Sequence, residues 1–422
     1  METFDHIIVG GGIIGASTAY HLKRKRAGSV LLLERNDLAS AATSRAAGLV
    51  LQASTKYSKT PLAKMTTRVV PALEAETGES VEFHNVGSLR IAATNERAAE
   101  LDAMVEDALN WEIPVEFPGD SEIRELVPWL EVSRIMKSAY FPTDGYVDPY
   151  LMGMSYVKAA RSLGAVVRPY SNVEDILTEQ EKVIGVLSNN ERIACSTVVD
   201  ACGAWASVFS ARAGFALPMA PVRSHYWITE PSSVYGGEHP VTILPDVAAY
   251  TRPEVGGLVL GLQEPRSTTF DARDLPHDPA AFSPTQGEEH WDILADAYAG
   301  LSQFFPAIEN ARFSNYICGL SSYTPDGEII LGPVPGVAGF YAAAGACGSG
   351  ITLSAGMGDA ISDLVLEQEP AFDISRFRPD RFGDVDPFGE SFRERCAMAR
   401  ASKTLSAVSY LYSSTALGKK PG

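Results

Sequence analysis

Apolar and polar positions alternate along this chain in blocks that read as β-α-β. Ile7 to Val9 is a short apolar run with the length of a buried strand. It runs into Gly10-x-Gly12-x-x-Gly15, and Ala16 to Leu22 then has the apolar content of a helix. Val30 to Leu33 is a second buried run and ends on Glu34. A glycine turn between strand and helix, with an acid about twenty positions on, is the dinucleotide-binding fingerprint in its structural context. Gly10 permits the tight turn, Gly12 lets backbone approach a pyrophosphate, and Gly15 lets helix and strand pack. The helix N-terminus offers free N–H groups and a partial positive charge. Glu34 is placed to accept from ribose hydroxyls.

Further along, 60–80 and 95–112 have helical spacing, and Val81 to Ala93 alternates weakly enough to hold strands. Phe141 to Pro149 is turn-rich, and Tyr150 to Leu163 is a helix. Val166 to Arg168 reads as a strand. A three-stranded excursion follows, with runs at Val173 to Leu177 and Val183 to Leu187. It returns to the sheet at Val198 to Ala201, which leads into Gly203 and Trp205. Residues 216–330 differ in texture: Trp227 to Thr229, Val241 to Leu244, Ala248 to Thr251 and Leu258 to Leu262 are short β-like runs separated by turns. They predict an antiparallel sheet that roofs a pocket, with one helix at Trp291 to Phe305. A second glycine-rich turn, Gly345 to Gly350, follows the run Phe340 to Ala344 and opens a helix reaching about Val365. Small residues dominate 40–50, which suits close approach to a ligand or tight loop packing.

Composition narrows the classes. The net charge of −17 argues against nucleic acid and anionic membrane surfaces as partners. No apolar run approaches the ~20 residues that span a bilayer, and with the first motif beginning at the fifth residue no signal peptide is expected ahead of it. Five scattered cysteines without CxxC spacing exclude a zinc site and a disulfide framework. A cytoplasmic setting is expected. At 422 residues and 45% hydrophobic, the chain has material for about two or three domains. The stretch after about Ala401 is loosely specified.

The motifs together resemble the D-amino-acid oxidase superfamily of FAD-dependent amine and amino-acid oxidases and dehydrogenases. The resemblance rests on Val9 to Gly15, on Asp200-Ala201-Cys202-Gly203-Ala204-Trp205, and on Thr324-Pro325-Asp326-Gly327. It continues through Gly345-x-x-Gly348-x-Gly350-Ile351 to Phe377-Arg378-Pro379-Asp380-Arg381-Phe382, in that order over residues 5 to about 385. Thr43 to Val50, Tyr226 to Pro231 and Tyr250-x-Arg252-x-x-x-Gly256-Gly257 are most similar to the dimethylglycine and sarcosine dehydrogenase branch, here without its folate-binding domain. The resemblance implies an α/β fold: a discontinuous Rossmann-like FAD-binding domain (1–55, 150–215 and 325–385), and a substrate domain with an antiparallel sheet (56–149 and 216–324). Residues 386–422 form a C-terminal extension. It places FAD against Gly10, Gly12, Ile14, Gly15, Glu34, Arg35, Ser44, Arg45, Ala46, Val173, Ala201, Gly203, Trp205, Gly345, Gly348, Ser349, Gly350, Ile351 and Thr352.

Two departures from the branch matter. Many members carry Trp-His before Ala-Ala-Gly, with the histidine bonded to flavin; here the pair is Ser44-Arg45, so non-covalent FAD is expected. Where relatives have His-Gln-Tyr, this chain has Ser224-His225-Tyr226, which moves the histidine to the opposite face of a strand. The thiol of Cys318 does not match the spacing of flavin-attaching cysteines, and Cys347 reads as a packing residue near FAD.

The chemistry implied is hydride transfer from the carbon beside an amine nitrogen to flavin N5, followed by imine hydrolysis. The substrate is a small secondary or tertiary amine, N-methylated or another amino acid. Arg252 and Arg45 are candidates for a substrate carboxylate, which guanidinium grips bidentately; a structural arginine is the competing reading for each. Tyr226, Tyr250 and Tyr323 are candidates to hold the amine. Tyr226 and Trp227 face opposite ways on a strand, so one belongs to the core. His225 is a candidate base, or an ordinary half-buried histidine. Open alternatives are 2-hydroxy-acid oxidation on the same fold and a flavin subunit of a larger dehydrogenase complex. The electron acceptor (oxygen, a quinone or an electron-transfer protein), the oligomeric state and any partner subunit stay open.

Overall fold

A computed structural model describes residues 1–403; the expected C-terminal extension lies partly outside these. A six-stranded sheet carries the first motif. Its order is Ile330–Pro333, Phe340–Ala344, Thr197–Asp200, His6–Val9, Val30–Leu33 and Val166–Arg168. All neighbours are parallel except the first pair. Strands covered on both faces need continuous apolar runs rather than alternation, and His6–Val9, Val30–Leu33 and Thr197–Asp200 are buried throughout. Side chains such as Ile7, Ile8, Leu31 and Leu32 have no exposed surface, each contributing about 1.5–3 kcal/mol on burial.

Helices Ile13–Arg24, Pro149–Ser162, Gly350–Val365 and Thr60–Thr77 share the core on one face of this sheet. The last of these falls in the segment expected to belong to the substrate domain. Its Leu62, Ala63, Val70 and Leu73 pack instead against the nucleotide-side helices. The predicted excursion forms strands Val173–Glu179, Lys182–Ser188 and Glu191–Ala194. Their sheet is completed by Glu2–Thr3, which had no sequence signal, and it covers the opposite face.

The second large sheet has seven strands, in the order Phe313–Tyr323, Ala220–Thr229, Gly257–Leu262, Ala249–Glu254, Val241–Leu244, Ser88–Ala92 and Lys137–Phe141. It is not purely antiparallel as expected. Val241–Leu244 and Ser88–Ala92 come from separate segments and meet in parallel. Trp227, Leu260, Leu89 and Leu294 of helix Glu289–Leu301 pack together on one face. Trp227, with no exposure, is therefore the core member of the Tyr226–Trp227 pair. The other face lines a cavity beneath the glycine turns.

The late motifs act as a clamp. Arg381 pairs with Asp326 at 2.8 Å and donates to the Glu328 carbonyl at 3.1 Å. Helix Glu390–Ala401 packs Phe392 and Cys396 against Val222, Tyr323 and Cys347. Among the described residues, no helix is long and apolar enough to cross a membrane.

Candidate active site

Both glycine turns open onto one cavity of about 470 Å³. At the first turn the packing leaves no room for side chains. A Cβ on Gly10, whose φ is +111°, would lie 2.3 Å from the Ala201 carbonyl oxygen, and one on Gly15 would lie 1.9 Å from the Gly10 oxygen. Gly12 instead borders the cavity, and its Cβ would meet only Thr43 Oγ1, at 3.4 Å. Helix Ile13–Arg24 starts here with neither an acidic residue nor a capping side chain of its own; Thr43 Oγ1 accepts from the Ile13 N–H at 3.0 Å. Helix Gly350–Val365 starts the same way at the second turn, where Gly345 and Gly348 have positive φ. By contrast, helices Asn95–Asn110 and Pro149–Ser162 are capped by Thr94 and Asp148. Both cavity helices begin at cavity-lining residues, Gly12–Ile13 and Ser349–Gly350, so their positive ends border the cavity.

Glu34 Oε2 accepts from the Gly11 N–H at 2.7 Å and Oε1 from the Asn36 N–H at 2.8 Å. The carboxylate is thereby oriented, with lone pairs left for hydroxyls. Arg35 stacks over Trp205, 4.2 Å from the ring centroid. Thr352 Oγ1 donates to the Leu49 carbonyl at 2.8 Å, fastening the second helix to the small-residue segment. Ile14, Ala46, Val173, Ala201, Gly203, Ser349, Gly350 and Ile351 also line the cavity. Two expected contacts are corrected. Gly15 serves helix–strand packing, and Ser44 is exposed with its hydroxyl directed to the Ala41 carbonyl, 3.2 Å away. Arg45 borders the cavity, but its guanidinium donates to the carbonyls of Ser40, Ala41 and Pro279. Cys347 Sγ points at the Gly345 carbonyl, 3.2 Å away. Neither Cys347 nor Cys318 is among the lining residues.

The roof is built by one row across the second sheet. Register aligns Tyr226 with Gly261, Gly261 with Tyr250, Tyr250 with Ile243, and Ile243 with Arg90. Residues in one row share a face, and the four with side chains all line the cavity. Gly261 is the gap that seats the Tyr250 ring, since a Cβ there would lie 2.0 Å from Tyr250 Cζ. Burial raises the Tyr226 phenol to about 12 and raises Tyr250 as well, so both stay neutral donors. Tyr323 is 2% exposed and lies beside Gly348.

Two expected catalytic residues are displaced. Arg252 pairs with Glu254 at 2.6 Å, donates to the Ala47 carbonyl at 2.6 Å and covers the Tyr146 ring; it does not line the cavity. His225 reaches the cavity edge, yet its imidazole has 0% exposure. Nε2 lies 3.2 Å from Glu264 Oε2 and Nδ1 3.0 Å from the Tyr316 hydroxyl. Burial lowers its pKa against the opposing pull of Glu264. Its ring packs against Trp227, 4.9 Å between centroids, although the residue still lines the cavity.

Two cavity groups escaped sequence reasoning. Arg90 is 8% exposed; its Nη2 donates to the Ala53 carbonyl at 2.7 Å and its Nε has no partner. Gln263 is 9% exposed with an unpartnered Oε1. A charge inside Ser88–Ala92, a strand buried at every position, is the signal that points to Arg90.

The family profile described as DAO, FAD dependent oxidoreductase, matches residues 5–364. The 4-methylaminobutanoate oxidase (formaldehyde-forming) of Paenarthrobacter nicotinovorans is 32% identical over 89% of this chain and 45% of its own length. Mouse mitochondrial dimethylglycine dehydrogenase is 30% identical over 89% of this chain and 44% of its own length. The chain therefore spans less than half of each of these two relatives. The crystal structure of glycine oxidase from Geobacillus kaustophilus superposes with a TM-score of 0.75 at 27% identity, covering 92% of this chain and 100% of that one.

Proposed function

Because the chain belongs to the DAO family of FAD dependent oxidoreductases, we propose that it oxidises a small secondary or tertiary amine bearing a carboxylate, on non-covalently held FAD. The residues fit the cofactor: a cradle that Cβ atoms would fill at Gly10, two helix N-termini free of acids and of caps of their own, and an oriented Glu34. Gly12, Glu34, Arg35 and Trp205 would hold the dinucleotide end, and Arg45, Ala46 and Gly345 to Thr352 the flavin end. When bound, the isoalloxazine takes up the hydride from the carbon beside the amine nitrogen.

The chain's own residues bind and orient the substrate. The neutral phenols of Tyr226 and Tyr250 flank Gly261 and present aromatic surface to the alkylamine. Gln263 Oε1, buried and unpartnered, can accept from the N–H of a secondary amine substrate. This low-dielectric roof favours the neutral amine, whose lone pair drives the oxidation. With the cofactor bound, helix Gly350–Val365 would offer its positive end to negative charge in the cavity.

The observation that carries this reading is the single row from Tyr226 to Arg90, facing the same cavity as both glycine turns. Glycine oxidase and 4-methylaminobutanoate oxidase, both amine oxidisers by name, support the same class. The test is product analysis with N-methylated amino acids. Stoichiometric formaldehyde and demethylated amine support N-demethylation. An oxo acid and methylamine place oxidation on the other side of the nitrogen, and turnover of 2-hydroxy acids alone overturns the amine reading. Acid precipitation checks the non-covalent flavin: it belongs in the supernatant, and flavin kept in the pellet contradicts the assignment of Arg45.

A further inference from the structure

We propose that Arg400, on helix Glu390–Ala401, is a positioning residue of the active site: it holds the stretch of cavity wall that carries Gln263. The role of Gln263 is the one given by the amine-oxidation reading, on which this assignment rests. Helix Glu390–Ala401 itself lies beyond the family profile, whose match ends at residue 364.

The helix buries Phe392, Cys396, Ala399 and Arg400, spaced as one helical face. The first three pack with Val222, Tyr323 and Cys347. Arg400 is 2% exposed, and a guanidinium so withdrawn from water is costly unless its donors are met. All three of its nitrogens donate. Nη1 pairs with Glu264 and reaches Ser267 Oγ at 2.9 Å, Nη2 reaches the Leu262 carbonyl at 3.0 Å, and Nε reaches Ser224 Oγ at 3.3 Å. An apolar residue would fill this face without desolvating a charge, so what the arginine adds is the fixed placement of its partners.

Those partners lie where two roof strands part. Ala220–Thr229 and Gly257–Leu262 pair at Ile228–Val259, Trp227–Leu260 and Tyr226–Gly261, and there the ladder stops. Continued in register it would set Ser224 opposite Gln263. Instead the chain after Leu262 swings outward and rejoins at Arg223, whose N–H donates to the Thr268 carbonyl at 2.9 Å. Arg400 fills the loop so formed, bonding Leu262 on one strand, Ser224 on the other, and Glu264 and Ser267 within the loop. Gln263 is thus held from both sides, through Leu262 and Glu264, while its own N–H donates to the Ala248 carbonyl at 2.9 Å. Ser224, Leu262, Gln263 and Arg400 all line the cavity, next to the Gly261 that seats Tyr250. Just past the helix, Lys403 donates to the Gly348 carbonyl at 2.7 Å. One short helix therefore ties this wall to the second glycine turn. Lysine could keep the charge at 400 but not the fork that reaches both strands.

The probes are N-methylglycine, N-methylalanine and 3-(methylamino)propanoate, secondary amines that each offer an N–H. Kd is read from the concentration dependence of anaerobic flavin bleaching by whichever binds wild type most tightly. Arg400→Lys is expected to raise that Kd about tenfold while the protein keeps its flavin. In a Gln263→Leu background the same change is expected to raise Kd less than about twofold, because the group it positions is gone. Equal rises in both backgrounds, or an unchanged Kd in Arg400→Lys, overturn the proposal. Should the lysine variant lose its flavin, Arg400→Met joined to Glu264→Gln removes both charges and is measured in the same two backgrounds. Hydrogen exchange of the FAD-loaded protein needs no substrate. Amides of 262–268 are expected to exchange at least about tenfold faster in Arg400→Lys, and those of helix Ile13–Arg24 as in wild type. Unchanged exchange at 262–268 overturns the proposal whatever the amines do. Faster exchange there, with no amine bleaching wild type, sinks the amine reading and leaves Arg400 holding the wall.

Discussion

Gly261→Ala tests the roof at its tightest point. The new methyl would lie 2.0 Å from Tyr250 Cζ, 2.1 Å from Cε1 and 2.4 Å from the hydroxyl oxygen, so the ring must leave its seat. The backbone at 261 is not in the left-handed region, and alanine itself is acceptable in a strand. The whole penalty is therefore steric. Overpacking of this kind costs about 1–3 kcal/mol, and a ring forced off its rotamer accounts for about 0.5–1.5 kcal/mol of it. Urea unfolding of the FAD-loaded protein measures the loss. Anaerobic bleaching measures the accompanying rise in substrate Kd, because the displaced ring no longer flanks the slot with Tyr226. The decisive arm is the double variant. In a Tyr250→Ala background the methyl has space, so Gly261→Ala should cost almost nothing, giving a coupling about as large as the single-variant loss. Equal losses in both backgrounds would refute the seating of Tyr250 on Gly261.

Other consequences are equally direct. Gly15→Ala sets a Cβ 1.9 Å from the Gly10 carbonyl oxygen, a backbone atom that cannot swing away; the variant should lose about 1–3 kcal/mol or more, and purify with little flavin by absorbance ratio. Asp200 is fully buried, its Oδ2 is unpartnered, and burial raises its pKa to about 7. Its folded value exceeds the unfolded one, so its contribution is complete below about pH 4 and is lost as pH rises to about 7, with a slope of up to ~1.4 kcal/mol per pH unit. Asp200→Asn should remove that slope and be the more stable protein at pH 8, as read from urea midpoints at several pH values. Arg252→Gln breaks the Glu254 pair and the Ala47 contact, and should cost about 1.5–3 kcal/mol in unfolding by urea while leaving the amine concentration dependence of flavin bleaching as in wild type.

The parallel sheet was legible because burial on both faces forces unbroken apolar runs, and the glycine turns stood out because glycine suits the close approaches at 10 and 15 and the positive φ at 345 and 348. Most residues drawn from the family motifs line the cavity for the same reason: motifs record backbone geometry well. The roof was harder. Its strands come from two distant segments, and nothing local to Ser88–Ala92 announces that it pairs with Val241–Leu244. Thus Arg252, next to the motif tyrosine in sequence, drew the carboxylate role, although its side chain turns to Glu254 and Ala47. Arg90, far away in sequence, arrives in the tyrosine row through sheet pairing alone. Gly261 could have been read earlier, since a glycine inside a strand often marks close approach of another group.

As proposed, this cavity holds FAD and passes it electrons from an amine. The most direct measurement is an anaerobic titration of the purified, FAD-loaded protein with N-methylated amino acids, followed by the visible flavin absorbance. Bleaching with a saturable dependence on amine concentration is the expected result. A flavin spectrum unchanged by every amine, or a protein that cannot be loaded with FAD, would contradict it.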